Sequence, residues 1–447
     1  MSNKIKFGIV GHTLLGFGTD IVTYGFAFLA SIVVARALGP VGRGAFAIIT
    51  MLNQYLVSML QFGMGAVAEM QLAKKEYSLR AVHSFTILFS VLAGIFAWLL
   101  FLILSPWLFQ SFLRNMDRRF CWMAVGLVPL VLYSLLGGKI LVGMNEIPAL
   151  NLFKIIRGFW NLSGFVLLVL VFPLGLTGAV SVWMVETIFL AVLQGWWFFK
   201  LSGWRLELSP RIIRESCSFG WKVHFAFLPA AAIMQLDSFV LNFFNGPQSV
   251  GLYTIANNVA FRISFLFNSM LTAAQASVIG RAEADSKKLV RRLIRHSVFA
   301  AGMIAIFLCL TGPFWMLWFY GKAFVPSAGP LAILSFGVIA ITVTNFLSVY
   351  VVGQLRKTRF SALVNWGSFF LGLCLYFFLV PRFGLLGVAW ASLLISIARV
   401  IGYLWLLRWV SLPSISETFI LRLEDFIFWR KKIHSFWERW AVRSSVV

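Results

Sequence analysis

Apolar runs of eighteen or more residues recur along this chain, each long enough for a helix to cross the hydrocarbon core of a bilayer. The pattern predicts twelve spans, at about residues 8–35, 45–68, 84–104, 120–142, 149–172, 176–199, 217–244, 250–279, 298–318, 328–352, 360–380 and 385–407. Polar positions within them gather on single helical faces. Span one carries His12, Gly16, Asp20, Thr23, Ala27 and Ser31 at steps of three or four, and span eight carries Thr254, Asn258, Arg262, Ser269 and Thr272 on one stripe. Such a face turns from lipid towards a neighbouring helix or a wet cavity. Span two holds Asn53, Gln54 and Gln61, and span five aligns Lys154, Arg157, Asn161 and Gly164. Span six holds Glu186, span seven Lys222, His224 and Asp237, and span twelve Arg399. Pro129 in span four removes one backbone hydrogen bond and is expected to bend that helix.

A second pattern lies over the first. LGPVGRGAFAI at Leu38 to Ile48 returns as NGPQSVGLYTI at Asn245 to Ile255, an offset of 207. VGMNEIPAL at Val142 returns as VGQLRKTRF at Val352, offset 210, and PLGLTGAV at Pro173 as PRFGLLGVA at Pro381, offset 208 to 209. Three landmarks in the same order at nearly one offset argue for a duplicated half. In the first of them, Gly39-Pro40 and Gly246-Pro247 are expected to turn the chain between spans, and Gly44 and Gly251 to let helices approach closely.

Composition agrees with the hydropathy pattern. With 60% hydrophobic residues, 12% charged residues and a mean hydropathy of +0.89, the 447-residue chain exceeds what a soluble core absorbs. The first run starts within about eight residues of Met1 without a short core and small-residue cleavage site, and reads as an uncleaved span. The net charge of +23 does not point to nucleic acid, because Lys and Arg alternate between loops, 25 on one side against 7 on the other. By the positive-inside rule both termini are cytoplasmic, and the basic surplus faces anionic lipid headgroups. Residues 411–447 place Phe419, Leu423, Phe426, Ile433, Trp437 and Trp440 on one face among basic residues, a helix for the cytoplasmic interface or for packing on the cytoplasmic loops.

The chemistry rests on costly residues. A charge at mid-bilayer requires a partner, a water path or a substrate. Arg262, with Asn258 one turn earlier, suits a phosphate or carboxylate in a low-dielectric passage; the structural alternative is a pair with Asp237 or Glu186. Asp20, Asp237 and Glu186 are candidates for proton or cation coupling, or for balancing Arg262, Arg157 or Arg399. Lys154 and Arg157 either guide an anionic headgroup or snorkel to the interface. His224 reads as a satisfied interfacial histidine and Arg399 as a structural partner. Cys121, Cys217, Cys309 and Cys374 have neither metal-site nor disulfide-framework spacing, and no nucleotide loop or catalytic acid pair appears. The longest outward loops, near 105–119 and 313–327, are about fifteen residues, too short for the catalytic domain of a membrane polymerase or ligase. No catalytic residue, cofactor or metal is expected.

ARALGPVGRGAFAI followed by FGMGAVAE, then LVGMNEIPALNLFKIIRG, then QLDSFVLNFFNGPQSVGLYTIANNVAF resemble the polysaccharide-transporter branch of the multidrug, oligosaccharidyl-lipid and polysaccharide exporter superfamily. The resemblance covers about residues 5 to 410 and is nearest the bacterial O-antigen and capsule-unit flippases. It implies an all-α polytopic fold of two six-helix lobes related by a pseudo-twofold axis, around a cavity lined largely by spans one, two, seven and eight. The lobes would be residues 1–202 and 217–410, joined by the cytoplasmic linker 203–216 and followed by the tail 411–447. The implied cargo is an oligosaccharide linked through pyrophosphate to polyprenol, moved from the cytoplasmic to the periplasmic leaflet of the bacterial inner membrane. Arg262, Arg157 and Arg36 inherit the expectation of a cationic cavity for that headgroup, with Asn258 and Lys154 beside them. Partners would be the lipid-linked oligosaccharide, membrane lipids and polysaccharide polymerase or chain-length machinery. Two features depart from the resemblance: no proline lies near Ala276, and the additional helix pair typical of lipid II flippases is lacking. The alternative within transport is a cation-coupled drug antiporter with Asp20 as its coupling site.

Overall fold

Both copies of the repeated turn centre on glycine followed by proline, and the backbone gives the reason. In the computed structural model Gly39 has φ 64° and ψ −179°, and Gly246 has φ 77° and ψ 179°. A Cβ at such positive φ crowds the backbone, so glycine lets each long helix break there and resume. The structure describes residues 9–279 and 282–408. The amphipathic tail expected over residues 411–447 and the side chains of His12, Ser269 and Thr272 lie outside the described residues.

The described elements are α1 (Ile9–Leu60), α2 (Met64–Ala73), α3 (Leu79–Gln110), α4 (Arg118–Gly126), α5 (Val128–Gly143) and α6 (Ile147–Phe165). They continue with α7 (Gly175–Ser202), α8 (Pro210–Ile279), α9 (Glu283–Trp315), α10 (Ala328–Val349) and α11 (Thr358–Arg408). Wider π-helical turns extend α6 over Val166–Val171, α9 over Met316–Tyr320 and α10 over Tyr350–Gln354. Among the described residues seven helices are long and apolar enough to cross a membrane, or nine if each bent pair is one span. The glycine breaks at Gly39, Gly246 and Gly384 divide α1, α8 and α11, and each side of each break corresponds to one span of the hydropathy pattern. Pro129 acts as expected: it sits in the first turn of α5, where α4 and α5 meet at 40°. The α3 helix runs on to Gln110, so the outward connection after span three is shorter than the hydropathy suggested.

Burial is inverted, as lipid demands. Ile103 and Leu310 are 74% and 77% exposed, whereas Asn53, Glu186 and Asn242 are each 1% exposed. Apolar outer surfaces meet acyl chains, and the polar groups turn inward to find partners. One apolar cluster joins Val34, Phe101, Leu132 and Phe198 of the first half to Val240 and Tyr253 of the second, and another holds α8 to α11 together through Ile294, Phe346 and Tyr403.

The duplicated turns meet face to face. A Cβ added to Gly44 would lie 1.7 Å from the Pro247 carbonyl oxygen, and one added to Gly251 would lie 2.0 Å from that of Pro40. Each copy thus places its glycine on the other's proline, the reciprocal contact that a local twofold axis generates. The third repeated landmark agrees: Gly175 and Gly384 adopt φ of 59° and 52° at equivalent points of the two halves.

Candidate functional site

The polar stripe of α1 and the cationic stripe of α6 face one another across a cavity of about 470 Å³, closed on a third side by Asn258 and Arg262 of α8. Asp20, Thr23, Tyr24, Ser31 and Arg43 line it from α1, and Lys154, Arg157 and Asn161 from α6. The resemblance implied walls from spans one, two, seven and eight; in this cavity span five replaces span seven. The physical reason is the spacing of Lys154, Arg157 and Asn161, which puts three polar side chains on the α6 face turned towards α1.

Two of its cations are paired and two are not. Lys154 Nζ lies 2.9 Å from Asp20 Oδ1. Arg157 Nε donates to Glu186 Oε1 at 2.6 Å, and Asn161 Nδ2 donates to Glu186 Oε2 at 2.7 Å. Glu186 is buried behind Arg157, whose side chain is 62% exposed to the cavity. By contrast Arg262 Nη1 and Arg43 Nε are buried with no hydrogen-bond partner. The Arg262 guanidinium stacks 5.2 Å from the Phe28 ring, and that of Arg43 lies 5.8 Å from the Phe46 ring. Tyr24 and Tyr320 stand within electrostatic reach of Arg262. Four basic side chains therefore line a cavity whose lining holds a single acidic one, Asp20. Among the described residues each of these guanidiniums thus keeps one N–H nitrogen without an acceptor, the kind of donor an anion satisfies. A second cavity of about 320 Å³ lies behind the Arg157–Glu186 pair, where Gln54, Ser134, Thr187 and Gln194 give it polar walls.

Several expected residues go elsewhere. Arg36 is not in the cavity lining; its Nε donates to the Phe319 carbonyl at 2.7 Å and its Nη2 to the Trp318 carbonyl at 2.5 Å. Among the described residues Asp237 pairs with neither Arg262 nor any other cation. Its carboxylate accepts from Tyr253 Oη at 2.7 Å and from the Ser238 amide, inside a network that continues from Tyr253 through Ser392 to Tyr376. Arg399 donates to Asn365 Oδ1 at 2.8 Å, a neutral partner rather than an acidic one. Lys154 reaches Asp20 instead of snorkelling, and His224 is buried against Phe62 with ring centroids 4.8 Å apart. Among the described residues no group of three or more His, Cys, Asp and Glu side chains converges as a metal site requires.

Arg43 is the site residue that sequence reasoning missed. It sits inside the repeated turn, where positive-charge counting assigns it to a loop, yet its counterpart at offset 207 is Val250. A cation aligned with valine one position before the repeated Gly44 and Gly251 is a signal of differentiated chemistry. Tyr320, below the turn that Arg36 grips, had no such mark.

With this geometry in hand, comparison with known proteins identifies the chain. Residues 12–276 match the family model described as polysaccharide biosynthesis protein. The capsular polysaccharide biosynthesis protein CapF of Staphylococcus aureus is 23% identical over 407 residues, covering 87% of this chain and 96% of that protein. In fold, the chain is similar to an inward-facing multidrug resistance MATE family transporter of the MOP superfamily, with a TM-score of 0.67 at 16% identity over 88% of this chain and 97% of that one. It is also similar to the lipid II flippase MurJ in an inward closed conformation, with a TM-score of 0.71 at 14% identity over 91% and 88% of the two chains. The match over residues 12–276 spans more than half of the sequence, and this multi-pass membrane chain belongs to the polysaccharide biosynthesis protein family.

Proposed function

We propose that this protein is a flippase that carries polyprenyl-pyrophosphate-linked oligosaccharide units from the cytoplasmic to the periplasmic leaflet of the bacterial inner membrane. The lobes, residues 1–202 and 217–410, rock about the cavity in alternating access, with both termini cytoplasmic. The cargo feeds assembly of a surface polysaccharide such as O-antigen, capsule or exopolysaccharide. No covalent step is required, only differential binding of the headgroup on the two sides.

One observation carries the cargo reading: Arg43 and Arg262, from opposite halves, enter one cavity without an acidic partner. A diphosphate diester is a doubly charged anion with acceptor oxygens on both phosphorus atoms, the chemistry that two guanidinium forks recognise. A cavity of about 470 Å³ accommodates the diphosphate and the sugar next to it, so later sugars project towards the open side. Lys154 and Arg157, each already paired, add a milder positive field along the approach.

The test is Arg262→Ala, assayed as glycosidase- or lectin-accessible lipid-linked precursor in vesicles and in cells. Losing one charge-assisted contact should slow flipping by roughly ten- to a hundredfold, with precursor accumulating on the inner leaflet at unchanged protein level. Full flipping by Arg262→Ala would remove that residue from the site. A cation-coupled drug antiporter would show instead as dye efflux that depends on Asp20, whose carboxylate Lys154 already holds at 2.9 Å.

A further inference from the structure

We infer that Arg36 and Asn242 form two symmetry-related latches that hold the basic-poor side of the molecule closed by gripping backbone carbonyls of the opposite half. This rests on the alternating-access part of the function proposed above, and not on the identity of the cargo.

The two contacts mirror each other. Arg36, three residues before the Gly39 break in α1, donates to the carbonyls of Trp318 and Phe319 at the end of the π-helical turn that closes α9. Asn242, four residues before the Gly246 break in α8, donates through Nδ2 to the carbonyl of Phe112 at 2.8 Å and that of Arg114 at 3.3 Å, just past the end of α3. Phe112 and Phe319 are separated by 207 positions, the offset of the repeated turn, while Arg36 and Asn242 differ from that offset by one. Each half thus offers carbonyls at a helix C-terminus, which the helix itself leaves without donors, and each receives donors from the other half. The reciprocally packed Gly44 and Gly251 follow Arg36 and Asn242 by eight and nine residues, so each half carries a latch donor just before its close glycine contact.

The Arg36 latch also connects to a cavity residue through two aromatic rings. Phe319, whose carbonyl it grips, packs edge-on against Phe28 at 5.1 Å, and Phe28 in turn underlies the Arg262 guanidinium. Tyr320, the next residue, faces both Arg262 and Arg43 electrostatically. An anion drawn to Arg262 is therefore linked through the Phe28 ring to the turn that the latch holds. The two latches are not equal in strength. Arg36 is exposed, so water and salt compete for its hydrogen bonds, whereas Asn242 is 1% exposed and its side-chain amide is shielded from that competition.

The experiment reads sidedness in proteoliposomes without any lipid-linked sugar. Cys121, Cys217, Cys309 and Cys374 are replaced by Ser, and Ser31→Cys, in the cavity wall, reports access of a membrane-impermeant maleimide from each face. Asn242→Ala should raise labelling from the basic-poor face roughly tenfold, Arg36→Ala about threefold, and the double variant more than either. Arg36→Lys, which keeps the charge but not the fork, should fall between wild type and Arg36→Ala. Spin labels at the exposed positions Val41→Cys and Phe314→Cys should gain a longer distance in the same order, which keeps the proposal testable if one thiol site labels poorly. Folded variants with unchanged sidedness and distances would overturn the latch, as would a loss of thermal stability with no shift in sidedness. Because no cargo is present, neither result depends on what the protein carries.

Discussion

The two halves share a backbone, and within the spans they share almost none of their charges. At the offsets of the repeat, Asp20, Lys154, Arg157 and Glu186 of the first half meet Phe227, Val364, Gly367 and Ile395 of the second. In the other direction Asp237, Arg262 and Arg399 meet Ala30, Tyr55 and Leu190. The first half pairs charge with charge, Lys154 with Asp20 and Arg157 with Glu186. The second meets its charges with neutral groups, Asp237 with Tyr253 and Arg399 with Asn365. Symmetry is kept at the glycine breaks and in the reciprocal Gly44 and Gly251 contact, and abandoned among the side chains that line the cavity.

The strongest way to break that comparison is to attack what the halves hold in common. Gly44→Ala and Gly251→Ala each push a Cβ into a backbone carbonyl of the other half, with no flexible side chain to yield. Overpacking ordinarily costs about 1–3 kcal/mol, and a clash between two backbones exceeds that. Both variants should lose most of their folded, monodisperse protein in detergent, and by similar amounts if the twofold relation is real. Gly126→Ala, with nothing within 4 Å of its added Cβ, is the control. A well-folded Gly44→Ala beside an unfolded Gly251→Ala would show that the repeated contact is not shared equally.

The next effect sharpens the difference between charge-paired and neutrally paired halves. Arg157→Ala leaves Glu186, 1% exposed, with only the Asn161 amide; because Arg157 is 62% exposed, the cost should approach but not reach the about 3–5 kcal/mol of a fully buried pair. Glu186→Gln leaves Arg157 facing the cavity and keeps the amide from Asn161 in reach of an acceptor, so its cost should be well under half as large. In the second half Arg399→Leu should cost about 1–3 kcal/mol, since it deprives only a neutral Asn365 oxygen of its donor. Thermal unfolding in one detergent orders the three. Should Glu186→Gln prove the most damaging, Arg157 would have to be buried in the working protein.

Much of this was legible beforehand, and what was hidden has physical causes. Spans could be read because lipid forces long apolar runs, and the glycine-proline turn because a positive φ leaves few residue choices. Helical periodicity put Asp20, Asn258 and Arg262, and Lys154 with Arg157, on single faces of their spans, and those faces of α1, α6 and α8 line the cavity. Pairing was not legible, since Lys154 and Asp20 lie 134 positions apart and helical spacing carries no record of which stripes meet. Arg36 was assigned to the headgroup because a guanidinium suggests an anion; its partners are backbone carbonyls, which leave no trace in residue identity. Asn242 was overlooked for the same reason, and Arg43 because a cation in a turn looks like a loop charge.

The smallest expected effect concerns the Asp20–Lys154 pair, and it bears on whether the cavity is wet. Their side chains are 27% and 42% exposed, and at that exposure water screens much of the attraction. A double-mutant cycle of Asp20→Asn and Lys154→Gln should give a coupling of less than about 1 kcal/mol in thermal stability. The corresponding positions in the second half, Phe227 and Val364, hold no charges at all, so the fold itself does not need the pair. Asp20→Asn should nonetheless strengthen the positive field at Arg157 and Arg262, and flipping by this variant should be more salt-sensitive than that of wild type. A coupling several times larger would mean that the two charges face each other out of water. The cavity would then be a dry seam between helices, and the asymmetry of the halves would belong to packing rather than to a passage for an anion.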